Sequence, residues 1–588
     1  MIVPMKKASI VVQQKDASKA ATTLRKLGVL HLEHHRTPEG RDISEIREDI
    51  KFVNKSISIF SSSELDKKPF IQRNEYIDNW KKSVRHIAHL WARLDQIKEY
   101  NSHLAAQVEE WTKWGNFEPQ DIKTLSEEGV FIRLYAIPKR EVVNLPDHIV
   151  VKKIFTEAGQ IYCALVSTKE IDIGFKEMKL PEMSLERLKE KIIEGEGVTR
   201  SIQEELFKIS SYKDVFLRIK KALRKELEYH EALRGMGQSE SLVYQSGYVP
   251  YDAAENLIKT ARNEQWGIVI SDPKEGDVVP TFIRNPKWIS LIEPVFKMLE
   301  LIPGYKELDI SLWFLLFFSV FFGMIIGDAG YGAVFFIITL VVSRKSKGSS
   351  EMRPMFILLY ILSSCAIVWG VLTGTFFGQE WLSPFIKPLI PALRDNKNLQ
   401  TLCFFIGALH LSVAHIWRAV VKMPSIKALA DFGWTSIIWG VFFLANTLIL
   451  GDKFPHFGSW FFITGITLVI FFTNPSLNIL KGIASGVGSL LLNIVNSFTD
   501  VVSYIRLFAV GLATVAIADA FNAMALDIGF NSIASGIATS FILFLGHALN
   551  IVLGPLSILV HGLRLNILEF CSHLDISWSG FQYRPFRK

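Results

Sequence analysis

Cysteine is scarce in this 588-residue chain: the four present, Cys163, Cys365, Cys403 and Cys571, lie far apart and stand in no CxxC or CxxH spacing. That excludes a disulfide framework and a cysteine-based zinc site, and reads them as free thiols. No Gly-Lys dipeptide occurs anywhere. A Walker A loop needs that pair to wrap and clamp a nucleotide's phosphates, so ATP hydrolysis by that route is excluded. Residues Met1 to Lys15 lack the apolar core of a secretory signal, and the first long apolar run begins near Ile310, so the first half is expected to stay in the cytosol. Charge, too, is unevenly missing: Lys, Arg, Asp and Glu supply 92 of residues 1–300 but only 31 of residues 301–588. The first half therefore reads as soluble and the second as membrane-embedded. The net charge of +7 divides into +2 and +5 across that boundary, so no nucleic-acid-binding surface gathers it.

What the soluble half does contain is two α/β signatures and two long helical stretches. Ala8–Val12 reads as a strand, Asp16–Leu27 as a helix stopped by Gly28, and Val29–Leu32 as a second strand. A like pattern returns as a strand at Leu242–Tyr248, a helix over Asp252–Glu264 and a strand at Ile268–Ile270, with strand sequence at Val130–Ile137 and Ile149–Val166 in between. Apolar residues three and four apart run through Ile43, Ile46, Ile50, Val53, Ile57 and Phe60, then Ile77, Trp80, Val84, Ile87, Trp91 and Leu94. A return run passes through Leu185, Leu188, Ile192, Ile202, Leu206 and Ile209, with breaks expected near Ser61–Lys68 and Glu194–Gly197. The expected fold class is an α+β cytosolic part, two α/β lobes joined by a coiled-coil strut over residues 1–300, followed by an all-α membrane domain over 301–588. The histidines His31, His34 and His35 do not make a metal site, because strand neighbours alternate faces and no carboxylates complete a shell.

Eight transmembrane helices are expected. Leu312–Val342 is too long for one span and is interrupted at Gly327-Asp328-Ala329-Gly330, which reads as a tight hairpin of two. Pro354–Gly378, Thr401–Val421, Phe432–Leu450 and Ser459–Thr473 supply four more, and Ile483–Leu526 and Ser532–His573 the last two. Helical throughout, each of those two would be roughly 60–66 Å long against a hydrocarbon core of about 30 Å, so they must tilt or kink. With both termini in the cytosol, eleven basic residues fall in cytosolic loops and termini (Arg344, Lys345, Lys347, Arg353, Arg418, Lys422, Lys427, Lys481, Arg584, Arg587, Lys588) and four outside (Lys387, Arg394, Lys397, Lys453).

Against that background Arg506, in the middle of the seventh span, demands a reason, since a mid-bilayer arginine costs about 2.5–3.5 kcal/mol on insertion scales. Asp500 precedes it by six residues, a poor fit to direct pairing along one helix. Its face carries Thr499, Ser503, Val510, Ala513 and Ala520, small residues that let another helix come close. The eighth span adds Arg564, with His561 three residues before it, Glu569 beyond it and Ser557 completing a polar stripe suited to a hydrated ion path. Asp328, Asp519 and Asp527 stand near turns or span ends and read as structural.

Four stretches then resemble a known family. Phe321-Phe322-Gly323-Met324-Ile325-Ile326-Gly327-Asp328-Ala329-Gly330-Tyr331-Gly332, Trp369-Gly370-Val371-Leu372-Thr373-Gly374-Thr375-Phe376-Phe377-Gly378, Asp500-Val501-Val502-Ser503-Tyr504-Ile505-Arg506-Leu507-Phe508-Ala509-Val510-Gly511-Leu512-Ala513 and His561-Gly562-Leu563-Arg564-Leu565-Asn566-Ile567-Leu568-Glu569-Phe570 are similar to the membrane half of subunit a, also called subunit I, of V-type and archaeal A-type rotary ATPases. Gly247-Tyr248-Val249-Pro250 and the lobe-and-strut layout agree more weakly. Departures are Asp309-Ile310-Ser311, where Asp-Pro-Thr is common, and Gly554-Pro555, where eukaryotic relatives carry a glutamate.

The resemblance implies a stator in a cell membrane, holding two offset ion half-channels against a ring of proteolipid rotor subunits and anchoring peripheral stalks of the E/G type near a rotor adaptor of the d/C type. It implies Arg506 as the essential arginine and Arg564 as a second one, with H⁺ or Na⁺ as the transported ion and no cofactor held by this chain. The chemistry fits. An ion-free rotor carboxylate is anionic and costly in lipid unless a cation meets it. A guanidinium supplies that cation without losing its own proton. The competing readings are a stand-alone secondary transporter with a cytosolic regulatory domain, which would often show internal repeats, and a scaffold whose intramembrane arginines pair only structurally.

Overall fold

The computed structural model describes all residues except 62–78, 141–148, 158, 172, 176, 347–351, 379–386 and 474–478, and leaves the side chains of 479–489 undescribed. Ile77, Lys347, most of the expected break after Ser61 and the Lys481 side chain thus lie outside the described residues. In chain order the elements begin β1 (Met5–Gln13), α1 (Ala17–Leu27), β2 (His31–Glu33), α2 (Arg41–Phe60), α3 (Trp80–Thr112) and α4 (Pro119–Glu127). They continue β3 (Phe131–Pro138), β4 (Val150–Glu157), β5 (Gln160–Ser167), β6 (Glu177–Met178), α5 (Leu185–Ser210), α6 (Lys213–Arg234), β7 (Gly237–Ser239), β8 (Leu242–Pro250), α7 (Tyr251–Asn263) and β9 (Gly267–Ser271). Then follow α8 (Glu293–Met298), α9 (Ser311–Ile326), α10 (Ala329–Lys345), α11 (Arg353–Thr373), α12 (Asn396–Lys422), α13 (Ala428–Leu450), α14 (Gly458–Phe472), α15 (Ile479–Ser503), α16 (Ile505–Ile528) and α17 (Ile533–Ser557). One sheet has the order β2-β8-β1-β9 with β7 added on β8; the other has the order β4-β5-β3-β6. By packing, one unit comprises Met1–Ile10, Val29–His31 and Gly247–Pro585, and the other Val11–Gly28, Leu32–Ser246 and Phe586–Lys588.

In the second unit α1 (Ala17–Leu27) lies between Asp16 and Gly28, whose φ of +64° is the left-handed stop that glycine takes without a Cβ penalty. The expected strand over Ile149–Val166 is two strands: β4 and β5 form an antiparallel hairpin, pairing Val150 with Val166 and Glu157 with Gln160. Gly159 is the reason, since its φ of +79° lets the chain reverse between the two strands. Alternation then divides the hairpin's faces, burying Ile161, Cys163 and Leu165 with Tyr135 and Ile137, while Phe155 and Tyr162 stack and meet Trp114.

Four helices, not two, carry the apolar seams: α2 packs on α6, and α3 on α5. Ile46, Val53, Phe60, Val84, Ile87, Leu94, Ile202 and Leu206 from the seams close on Phe216 and Leu223 of α6. The glycines expected to interrupt the return run sit inside an unbroken α5. At Gly195 a Cβ would come within 2.2 Å of the Asn101 side chain, so the missing atom lets α3 approach.

In the first unit α11, α12, α13 and the runs Leu490–Ile528 and Ile533–His573 are each long and apolar enough to cross a bilayer. The expected hairpin is a bent pair, α9 and α10 meeting at 120°, and α14 is a shorter apolar helix of 15 residues. Gly327 (φ +67°) ends α9, and Asp328 caps α10 by accepting from the Tyr331 amide at 3.1 Å and from the Gly378 amide at 3.0 Å. The structural reading of Asp328 is thereby explained. The two glycine-rich stretches meet here: a Cβ at Gly370 would stand 2.0 Å from the Ala329 nitrogen, and one at Gly330 2.6 Å from the Phe377 ring.

Neither long span is a continuous α-helix. The seventh breaks at Tyr504, between α15 and α16. In the eighth, Pro555 removes an amide and crowds the preceding turn, after which Ile558–Gly562 and Leu565–Phe570 wind as π-helix.

Candidate functional site

Arg506 stands just beyond the break in the seventh span, and the break explains its placement. Tyr504 is fully buried, its hydroxyl 2.8 Å from Nδ1 of His410 on α12. Its ring fills the space over Gly407, where a Cβ would approach to 2.7 Å. These contacts fix the phase at which α16 leaves the break. Arg506 Nη1 then reaches Glu569 Oε1 at 3.4 Å, and Arg564 Nε lies 3.6 Å from the same oxygen.

Two guanidiniums thus share one carboxylate. The Glu569 side chain is 6% exposed, against 25% for Arg506 and 53% for Arg564. Its other oxygen, Oε2, is buried without a hydrogen-bond partner among the described residues. Both ion-pair distances are longer than the 2.7–2.9 Å of a tight charge-assisted bond, so Arg506 retains capacity for a second carboxylate. Beside it α16 presents the alanines Ala509, Ala513, Ala516 and Ala520 exposed along one face, with the larger Leu512 among them.

Arg564 occupies the joint between the two π-helical segments, with His561 inside the first and Glu569 inside the second. His561 is half-buried and within electrostatic reach of both arginines. Ser503 closes α15 and Ser557 closes α17, both half-buried and outside the ion-pair cluster. Arg506, Arg564 and Glu569 are therefore brought together, His561 stands near them, and the two serines do not join them.

A second polar cluster surrounds a cavity of about 310 Å³ lined by His415, Arg418, Asn493, Asp500, His573 and Asp575, among others. His573 Nε2 lies 3.1 Å from Asp500 Oδ2, and His573 Nδ1 lies 2.8 Å from His415 Nε2. Asp431, 1% exposed on α13, takes Arg418 at 2.5 Å and Lys422 at 2.9 Å, while Arg418 also reaches Asp575 at 2.5 Å. Arg418 and Lys422 were expected in a loop. They lie within α12, paired across to α13. A third cluster joins α10, α16 and α17: the Tyr331 hydroxyl is 2.8 Å from His547 Nδ1, and Asn550 donates to that hydroxyl at 3.1 Å and to the Thr514 carbonyl at 2.9 Å.

Comparison with known proteins decides the family. Over its whole length and the whole of theirs, the chain is 32% identical to V-type ATP synthase subunit I of Borreliella burgdorferi and 29% identical to V-type ATP synthase subunit I 1 of Treponema pallidum. The chain belongs to the V-type ATP synthase subunit I family. The A-type ATP synthase subunit I of Methanocaldococcus jannaschii is 26% identical over 69% of this chain and 64% of its own. Among solved structures, the cytoplasmic N-terminal domain of a subunit I, homolog of subunit a, of V-ATPase matches over 45% of this chain and all of its own, at 14% identity and a TM-score of 0.23. No protein-family model matches the chain.

Within this subunit I chain, sequence reasoning named Arg506, Arg564, His561 and Glu569 but passed over His410, His415, Asp431, Tyr504 and His573. A signal was present, because each is a polar or titratable residue inside or at the end of an apolar span. Their partners come from other helices, so no local spacing connects them.

Proposed function

We propose that the chain is the stationary, ion-conducting subunit of a rotary ATPase. Arg506 is the fixed cation that a rotor carboxylate meets as it leaves one half-channel and before it enters the other. The observation that carries this reading is Arg506 loosely paired to a shared Glu569 at 3.4 Å, beside the exposed alanine face of α16. A loosely held guanidinium can exchange carboxylate partners without losing its proton, so it favours ion release from the rotor and blocks a direct leak. Arg564 competes for the same Glu569 oxygen and keeps that carboxylate compensated when Arg506 turns to the ring. His561 and the hydroxyls of Ser503 and Ser557 line the approach.

In this reading residues 301–588 are the translocation domain, with eight crossings and both termini in the cytosol. Residues 1–300 form the strut that holds E/G-type peripheral stalks and lies near a d/C-type rotor adaptor, and the proteolipid ring runs on α16. The chain performs no ATP hydrolysis; it turns rotation into H⁺ or Na⁺ transport.

The test is ATP-driven ion uptake by inverted vesicles carrying the whole complex with Arg506→Ala, assembly being checked by pull-down. Uptake should fall to background with assembly intact, and Arg506→Lys should not restore it. Undiminished uptake in Arg506→Ala would favour the stand-alone transporter.

A further inference from the structure

Both members of the Arg506–Glu569 pair sit on segments whose phase an α-helical ladder does not set. At the break in the seventh span the Tyr504 amide bonds to the Val501 carbonyl at 3.3 Å and the Leu507 amide to the Tyr504 carbonyl at 3.0 Å, three residues back instead of four, so α15 does not dictate the direction in which Arg506 leaves. Glu569 lies within the π-helical run Leu565–Phe570, which is wound differently again. What the two share is one side chain on a third helix. His410 of α12 is 0% exposed. Its Nδ1 is 2.8 Å from the hydroxyl of Tyr504, two residues before Arg506, and its ring stacks at 4.2 Å on Phe570, the residue after Glu569. Phe317 of α9 stacks on the ring's other face at 3.9 Å, and Phe321 meets His410 and Tyr504 edge-on at 5.6 and 5.9 Å.

Packing alone does not require an imidazole there. Its second nitrogen, Nε2, is buried without a hydrogen-bond partner among the described residues, and such an atom costs stability that a phenyl ring of similar shape would not. What the imidazole does and a phenyl cannot is hold the Tyr504 hydroxyl. We propose that His410 is a positioning residue: it ties Tyr504 to Phe570 and thereby sets the separation between the Arg506 guanidinium and the Glu569 carboxylate. The proposal rests on the stator reading above. Fully buried, His410 reaches no partner itself and acts through the two residues beside the pair. Their contact of 3.4 Å is at the edge of hydrogen-bonding distance, so a displacement of about 1 Å either tightens it into an ion pair that a rotor carboxylate cannot share or frees the guanidinium to turn away. Misplacement on that scale costs on the order of a hundredfold in a site that works by geometry.

The test uses inverted vesicles carrying the complete complex. His410→Phe keeps a stacked ring and Tyr504→Phe keeps the ring over Gly407, but each deletes the hydrogen bond. ATP-driven uptake per assembled complex, followed with an acid-sensitive dye and with radioactive sodium, should fall about tenfold or more in each. The double variant separates position from stability, because it leaves neither the hydroxyl nor an imidazole nitrogen buried and unpaired. Its thermal midpoint should return to the native value or rise above it while its uptake stays as low as in the single variants; uptake recovering together with the midpoint overturns the proposal. A second measurement ties the effect to Arg506. Ion leak down an imposed gradient without ATP should rise in His410→Phe, and Arg506→Ala combined with His410→Phe should leak no more than Arg506→Ala alone, since both act on one guanidinium; leaks that add assign His410 to a separate structural fault and overturn the proposal. If either single variant fails to assemble, the double one decides by the same uptake and midpoint. Arg506→Ala keeps the two readings apart: its uptake stopping while His410→Phe pumps at the native rate removes the positioning role and leaves the stator, and its uptake undiminished removes both.

Discussion

Asp431 illustrates what a single charge does inside an apolar helix bundle. It is 1% exposed, and two cations, Arg418 and Lys422, converge on it from α12. Such a buried ion triad is weak evidence of net stabilisation, since desolvation offsets most of the attraction, but removing one member leaves the others uncompensated. Asp431→Asn is expected to destabilise the membrane unit by about 3–5 kcal/mol, because Arg418 is itself only 16% exposed. Thermal unfolding of the detergent-solubilised subunit would register that loss, and an unchanged midpoint would show that Asp575 alone suffices for Arg418. Arg506 obeys the opposite design: its partner is shared and its contact long, so Arg506→Ala should cost transport far more than stability.

At the scale of elements, close approach explains what composition does not. The junction of α9, α10 and α11 is built on absent side chains, and a Cβ at Gly370 would sit 2.0 Å from the backbone nitrogen of Ala329. Backbone cannot swing aside as a side chain can, so Gly370→Ala should destabilise by at least the 1–3 kcal/mol of ordinary overpacking, read as a lower melting temperature or lost assembly. This also shows where legibility ended. Helix α1 with its Gly28 stop, β8, α7 and β9 were readable because local periodicity and punctuation determine them. The β4–β5 turn was missed because a single glycine, with no Asn-Gly or Asp-Gly pair, is all that punctuates it. The break at Tyr504 accompanies packing against α12, which no one-dimensional pattern encodes, and Pro555 marks where the eighth span leaves α-helical winding but not the π-helical form it takes. For the site, Arg506 and Arg564 announced themselves as costly charges, and Glu569 was legible as their neighbour. The His415–His573–Asp500 chain was not, since its members are 73 to 158 residues apart.

Across the unit that holds the apolar helices, the segment before the first of them is bonded to the segment after the last. Just before α9, Glu307 accepts from the Ser577 amide at 2.8 Å and the Ser577 hydroxyl at 2.7 Å, and from the Gly304 amide at 2.6 Å. Thr281 extends the same collar, its amide donating to the Phe581 carbonyl at 2.8 Å and its carbonyl accepting from Tyr583 at 3.0 Å. The start of the first apolar helix and the end of the last are therefore tied to each other by hydrogen bonds. Glu307 also makes this closure sensitive to acid. Burial alone would raise its pKa, but the Ser577 hydroxyl and amide, with the Gly304 and Trp578 amides, outweigh that and hold it below the ordinary 4.5. A carboxylate depressed on folding contributes stability that is complete above its unfolded pKa and is lost as pH falls through the folded one. The native subunit should therefore lose melting temperature on acidification from about pH 5 downward. Glu307→Gln should lower stability at pH 7 by about 1 kcal/mol, the partial exposure of the site keeping the figure small, and should flatten that acid slope. Parallel slopes in the two proteins would instead assign the acid sensitivity to other carboxylates and leave Glu307 a neutral hydrogen-bond acceptor in the collar.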